Sequence, residues 1–592
     1  MALPVPVPVS VSVPDLPSLS GSLSVSLSKN SAMHPSIAIA SPIAIAIRPQ
    51  TAALATGNCY DIVMNLQTRL VVALALLAAA CSPSGPAARP ADTVIIGIQS
   101  DIQSWNPFLA EDATSEEILT LVYPSLAVEQ VDYQQHPPSF EPSLAESWEF
   151  SEDGLSLTFK LRTDAVWSDG VPVTSSDLLF SWKAQTSDAH GWLWADLTDN
   201  IEKVEALDDH RVRYTFTHRY PYQLMDVNDG PIVPAHAWEG IPFDAWEDTD
   251  WSEHVLSAGP FVPGTHTPQQ EIILERNPRY FVVERPRLEG LVFRIVPSKS
   301  ALFTQFLARG IDLVNDIPPA EAGRVQSNPD LELRIFADRS YTHICWNLEN
   351  DLFADPTVRR ALGLAIDRSA LIEVVYNGFA QPSVGPVLST MWAFNRELEP
   401  LPFDPTAAAE LLAEAGWKDS DNDGLLDRNG QTFSFEILAP AESEVRQDVA
   451  LMIERDLGRV GIEVVPRLIE WGAVQAAVSE GDFEAFVNRW IEPTQVDLEG
   501  IWRSAPPDTP TFNFGHYSSP EVDRLLDEVS AAPDFAIQKP LLDRIQEIIV
   551  ADQPYTFLVE NVRLVGHDSR VQGADINDAT IYFNVEDWTI EQ

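Results

Sequence analysis

Residues 419–430 read DSDNDGLLDRNG and carry the metal-ligand spacing that stands out in this chain. Asp419, Asp421 and Asp423 fall at loop positions 1, 3 and 5, Gly424 at position 6 where a sharp turn is needed, and Asp427 at position 9. Hard carboxylate oxygens at this spacing suit calcium. Position 12 is Gly430 instead of a bidentate glutamate, and the following TFSFEI alternates like a strand, so an Asp/Gly-rich hairpin turn is the competing reading. A structural calcium is therefore the only cofactor the sequence offers. No GxSxG, HExxH, CxxC, GxxxxGK[ST] or GxGxxG occurs, and the histidines are scattered without ligand spacing. Cys345 stands alone inside YTHICWN, where packing is a simpler role than nucleophile. No catalytic residue is assigned.

Carboxylates are too common here for any one pair to be informative. Across 592 residues, 87 Asp and Glu face 38 Lys and Arg, a formal net charge of −49. Such a surface repels phosphate backbones and anionic headgroups, which excludes nucleic-acid binding. A solvated surface is the plain reading of this charge, and a cationic ligand the sharper one. With 45% hydrophobic residues the chain is not a disordered one, and three cysteines cannot make a disulfide framework. Among the 16 tryptophans, Trp392, Trp471 and Trp490 sit beside turn signals where loops can border a cleft, although core packing competes at each.

The first eighty residues are of another kind. Residues 1–63 are a nearly uncharged Pro/Ser/Val/Ala tract, read as low-complexity, either disordered or an over-extended start. Met64 opens a second beginning: one cation at Arg69, eleven apolar residues from Leu70 to Ala80, then Cys81. Eleven residues are too few to span a bilayer, which takes about 20, but suit a secretory signal. Small residues ending at a cysteine resemble a bacterial lipoprotein signal over 64–81, with Cys81 lipidated; a plain secretory signal is the alternative. Residues 82–91, SPSGPAARPA, have the composition of a tether.

Beyond the tether, short strands interleave with capped helices. DTVIIGIQ (92–99), LSLTFKLR (155–162) and RVRYTFTH (211–218) read as strands. Asp355-Pro356, Asp404-Pro405 and Ser519-Pro520 each supply an N-cap and a proline at the first helical position. Val445, Val449, Met452, Ile453 and Leu457 share one helical face between Ser443 and Arg459. Strands and helices alternate through 341–560, an α/β pattern.

Residues 141–182, EPSLAESWEFSEDGLSLTFKLRTDAVWSDGVPVTSSDLLFSW, resemble the signature of the bacterial extracellular solute-binding proteins of family 5, the oligopeptide and dipeptide binders of ABC importers. LERNPRYF (274–281), FADPTVRRALGLAIDR (353–368), AAAELLAEAGW (407–417), HYSSPEVDRLLDE (516–528) and PYTFLVENVRLV (554–565) resemble its later landmarks in order. The resemblance implies an α/β two-lobed periplasmic-binding fold, type II, of the large cluster with an extra insertion domain. Lobe I would comprise 92–125, 223–340 and 555–592, the insertion 126–222, and lobe II 341–554. It further implies a non-enzymatic, monomeric, exported protein of the periplasm or outer cell surface, lipid-anchored, that closes on a peptide or peptide-like solute and delivers it to a membrane permease. A secreted hydrolase with a large cleft is the alternative, as is a binder of an oligosaccharide, a metal chelate or another non-peptide solute. By the resemblance, Glu111, Asp112 and Ala113 line the cleft, as does a lobe II strand similar to Tyr341–Asn347, whose alternation puts Tyr341, His343 and Cys345 on one face. Trp490 matches the family's tryptophan. The aspartate that pairs with a peptide's α-ammonium falls at Pro493, which leaves Glu492 and Asp497 as the carboxylates for that role.

Overall fold

The computed structural model describes residues 92–505 and 511–591. The low-complexity tract, the signal with Cys81 and the tether lie outside the described residues. The expected start signals produce helices. Asp355, Asp404 and Ser519 accept backbone N–H groups at the heads of Pro356–Leu364, Pro405–Glu414 and Pro520–Ser530, and Ser443 does so for Glu444–Gly458. Each cap satisfies a donor that the first turn leaves without an intrahelical partner.

These helices flank a mixed sheet that counts eleven strands among the described residues. Its centre consists of β1 (Thr93–Ile98), β2 (Gly290–Ile295), β3 (Leu331–Trp346), β4 (Ala485–Ile491) and β5 (Tyr555–Asp568). β1 lies parallel to β2 and is buried almost throughout, as its run of β-branched residues requires. β3 and β5 are long antiparallel partners that carry the sheet from one half of the molecule to the other. They pair from Leu331↔Asp568 to Ala337↔Val562, slip, and resume from Tyr341↔Glu560 to Cys345↔Tyr555. Beyond the slip, β3 turns its other edge to β4.

The slip is held by polar side chains. Ser340 Oγ donates to Asp338 (2.5 Å) and accepts from Arg489 Nε (2.8 Å) and Asn561 Nδ2 (2.9 Å). Arg489 also pairs with Asp338. On one side of the slip Leu331 and Leu564 pack with Phe303, Phe306 and Ile311. On the other, Ile344 and Trp346 pack with Leu362, Phe435 and Ile453. A separate four-stranded antiparallel sheet, from Ala145–Phe150 to Arg211–Phe216, shares its core with Val94 of β1 and with Trp588.

Trp346 is fully buried, and its indole N–H donates to Thr556 Oγ1 across the β3–β5 pair (3.0 Å). Trp346→Ala leaves a ring-sized cavity and one orphaned hydroxyl partner. It is expected to cost roughly 3–5 kcal/mol in urea unfolding, against little change for an exposed Trp194→Ala.

Candidate functional site

The second half of β3 turns Tyr341, His343 and Cys345 to one face, all fully buried. His343 is stacked between rings: its centroid lies 4.2 Å from Tyr555 at 10° and 6.4 Å from Trp490 at 12°. Neither imidazole nitrogen has a hydrogen-bond partner among the described residues. Burial without a counter-ion pulls its pKa down to about 3, so the ring is a neutral apolar plate at physiological pH. Burial pushes the Cys345 thiol well up, which keeps it protonated. Trp490 continues the wall by stacking on Phe514 at 5.9 Å.

Glu492 and Asp497 follow β4 in the loop that faces this wall. The Glu492 backbone N–H donates to the Arg339 carbonyl (2.7 Å), which ties the loop to the slip in β3. Burial first, then the charge of Asp497, pushes the Glu492 carboxyl up to about 8, with the Tyr341 hydroxyl opposing the rise. That hydroxyl is fully buried and makes no hydrogen bond of good geometry, although it lies in the electrostatic field of Glu492. Asp497 is raised as well, by burial above all, while its Oδ1 accepts the Glu499 N–H (2.7 Å).

Three further carboxylates converge here that the sequence reading did not single out: Glu129, Asp226 and Asp229. The short helix Gln223–Asn228 carries Asp226, and Asp229 caps its end. The helix is joined to the Glu492–Leu498 loop through the Tyr222 hydroxyl, which accepts the Val496 N–H (3.2 Å). Desolvation and the neighbouring Glu129 and Asp226 push Asp229 up to about 8, against a smaller pull from Arg339. Desolvation, Asp196 and Asp497 push Asp226 up to about 7, although the Tyr220 hydroxyl donates to its Oδ2 (2.6 Å). Glu129 is raised by burial, with the Thr494 hydroxyl and Arg339 opposing the rise. Asp229 and Asp497 keep exposed surface, yet desolvation leads the causes of both shifts.

Arg339 acts on Glu129 and Asp229, and its guanidinium also donates to carbonyls, Asp578 O at 3.3 Å and Glu492 O at 3.4 Å, while Arg503 acts on Asp497. None of the five carboxylates forms an ion pair with Lys, Arg or His among the described residues. The only trace of this in the sequence is QLMDVND at 223–229, which sets two acids three apart on a helix, a spacing that is unremarkable in so acidic a chain.

The other expected residues are placed as follows, with Trp392 in the same apolar cluster as Tyr341, Cys345 and Tyr555. Asp112 caps the helix Ala113–Leu119, accepting from the Ser115 N–H (3.0 Å) and hydroxyl, and Glu111 and Ala113 are exposed. Capping commits the Asp112 carboxylate to its own helix. Trp392 is buried, donates its backbone N–H to the Tyr133 carbonyl (2.8 Å) and packs on Phe535. Trp471 is half-buried beneath the Arg446 guanidinium, 5.0 Å from the ring centroid. In the Asp loop, Asp419, Asp421 and Asp423 come together, exposed, with one carboxylate oxygen of each within 4.8 Å of the others. Asp427 is not with them: it begins a two-stranded hairpin, and its carboxylate receives the Ser420 N–H (2.9 Å) and hydroxyl (2.6 Å). A groove of about 460 Å³ lies between His218–Arg219 and Arg503–Asp527, outside the acidic group.

The model of the bacterial extracellular solute-binding proteins, family 5 Middle, matches residues 139–508, well over half of the chain. The chain belongs to this family. Like other family 5 members it is a solute-binding protein of the two-lobed α/β type. It is similar to the oligopeptide-binding protein AppA of Bacillus subtilis (strain 168), 26% identical over 501 residues covering 84% of this chain and 91% of AppA. It is also similar to the glutathione-binding protein GsiB of Escherichia coli O157:H7, 25% identical over 498 residues, covering 82% and 92%. The solved structure of B. subtilis AppA in complex with a nonapeptide superposes with a TM-score of 0.71 at 25% identity, over 85% of this chain and all of AppA. That of NikA from Brucella suis in complex with Fe(III)-EDTA gives 0.75 at 20% identity, a likeness of fold.

For this family 5 protein the raised carboxyls have a consequence for stability. Asp226, Asp229 and Glu492 titrate at about 7, 8 and 8 when folded, against about 4 in an unfolded chain. Between those values the folded state holds more protons than the unfolded one, so stability falls as pH rises from about 4 to about 8. The ligand-free melting temperature should therefore decline over this window, and the triple variant Asp226→Asn, Asp229→Asn, Glu492→Gln should decline less. Equal slopes for the two proteins in a calorimetric pH series would show that these carboxyls are ionised alike in both states.

Proposed function

We propose that this family 5 protein is the solute receptor of an ABC importer, which closes its two lobes on a peptide or peptide-like solute and hands it to a membrane permease. Cys81 is its lipid anchor, and the protein works as a monomer in the periplasm or on the outer cell surface. In this reading the amino terminus of the solute docks at Glu492, with Asp497 close by and the Tyr341 hydroxyl as a polar partner. Trp490, His343 and Tyr555 form the apolar wall along which the solute lies. Among the described residues no helix is long and apolar enough to cross a membrane, so the reading assigns membrane attachment to the lipid.

One observation carries the reading. Glu492 is a deeply desolvated carboxyl without a cation, next to the position where the family resemblance expects an ammonium-binding aspartate. Two unit charges 4 Å apart attract by about 4 kcal/mol at an effective dielectric near 20, against about 1 kcal/mol in bulk water. An ammonium group placed here on closure would gain far more than one held at the open surface, which makes the closed state the one that binds.

The test is calorimetric titration with tripeptides. A binding peptide should raise the melting temperature, and Glu492→Gln should weaken binding by about 2–5 kcal/mol with the fold intact. The recovered peptide should have unchanged mass. Wild-type affinity in the Gln variant would place the amino terminus elsewhere, and a shortened peptide would turn the reading to hydrolysis.

A further inference from the structure

Two aromatic residues cross between the halves of the molecule in opposite directions. Tyr133 precedes the four-stranded sheet in the chain, yet it is fully buried in the core of the other half, among Tyr341, Trp392, Leu542 and Tyr555. Phe535 opens the long helix Phe535–Asp552, whose Leu542, Ile545 and Ile549 fill that same core. Its ring also packs against the core that holds Val94, the four-stranded sheet and Tyr222. The ring centroid lies 5.2 Å from Tyr222 at 72° and 5.2 Å from Trp392 at 75°, so one side chain meets an aromatic of each core edge-on. Asp534 caps the helix by accepting the Ile537 N–H (3.1 Å). Side chains of a helix lean toward its N-terminus, which carries the Phe535 ring out to this seam.

Two backbone donors close the seam. The Trp392 N–H donates to the Tyr133 carbonyl (2.8 Å), and the Val496 N–H donates to the Tyr222 hydroxyl (3.2 Å). The Tyr133 hydroxyl and the Trp392 indole N–H are buried there without a hydrogen-bond partner among the described residues. Most buried polar atoms of a folded core are paired. Water would satisfy these two if the halves parted, so the gain from ring packing is set against two unpaired polar groups. A contact that opens and closes is served by such a near balance. We propose that Phe535, with Tyr222, Tyr133 and Trp392, is the latch that holds the two lobes closed, and that it sets the affinity for the solute without touching it. Val496 lies in the loop that carries Glu492 and Asp497, so the latch engages the proposed amine site from the opposite lobe. The proposal rests on closure of the lobes and not on the chemistry of the solute.

The test is amide hydrogen exchange on the full chain, without added solute, in wild type, Phe535→Ala and Tyr222→Phe. In wild type the Trp392 and Val496 amides should exchange about tenfold or more slowly than in an unstructured peptide. Phe535→Ala should speed both by about fivefold or more. Tyr222→Phe keeps the ring and removes the acceptor of Val496. It should also speed the Trp392 amide by about threefold, although that amide bonds to Tyr133. Release of Val496 alone would show separate local contacts and overturn the latch, as would unprotected amides in wild type. Exchange within the helix Phe535–Asp552 should stay unchanged in Tyr222→Phe; faster exchange there would mean that the hydroxyl holds the fold and not the closure, which also overturns the latch. Tripeptides that bind wild type should all weaken by one common factor in Phe535→Ala, because apparent affinity scales with the closed fraction. Unequal factors would put the ring against the solute and overturn the latch. If no tripeptide binds, the peptide reading falls and the exchange result still decides the latch.

Discussion

The arrangement of this molecule turns on carboxylates that the fold desolvates and that form no ion pair with Lys, Arg or His among the described residues. Glu129, Asp226, Asp229, Glu492 and Asp497 come from three distant stretches of chain, and desolvation is the leading cause of the shift at each. Folding must supply the free energy that holds them there, and the large apolar cores on either side of the β3–β5 slip are the source of it. In the proposed function a positive guest offsets this cost. On that proposal recognition and closure are one event, because charge pairing is strong only where water is excluded.

β3 and β5 give this event a mechanical basis. They are the longest strands described; their register shifts by a residue between Thr342 and His343, and their pairing is interrupted between Ala337 and Tyr341. Around that interruption sit Ser340, Asp338, Arg489 and Asn561, whose polar contacts can be exchanged at lower cost than a packed apolar seam. Arg339 lies within the slip and bonds to the Glu492 carbonyl, so the backbone that would flex in a hinge motion is tied directly to the loop that carries the proposed amine site.

Local features were legible from the sequence. Asp-Pro and Ser-Pro pairs marked helix starts because a cap acts within one turn, and the alternation of Tyr341, His343 and Cys345 set their common face because strand period is a property of the backbone. The family resemblance correctly gave the fold. What escaped was long-range. Glu129 and the Asp226–Asp229 pair acquire meaning only when the fold brings them to Glu492, and in a chain with 87 acids nothing marks them beforehand. The full reach of β3 escaped too, since Glu332, Arg334, Asp338 and Arg339 obscure the apolar pattern before Tyr341. Asp112 shows the converse: its capping of Ser115 is a local interaction that a matched alignment position does not reveal.

The most direct measurement of the central claim is mass spectrometry of the solute released by denaturing protein purified without refolding. The account predicts a peptide or peptide-like molecule bearing a free amine, recovered in stoichiometric amount. A neutral sugar or an anion in that position would contradict it.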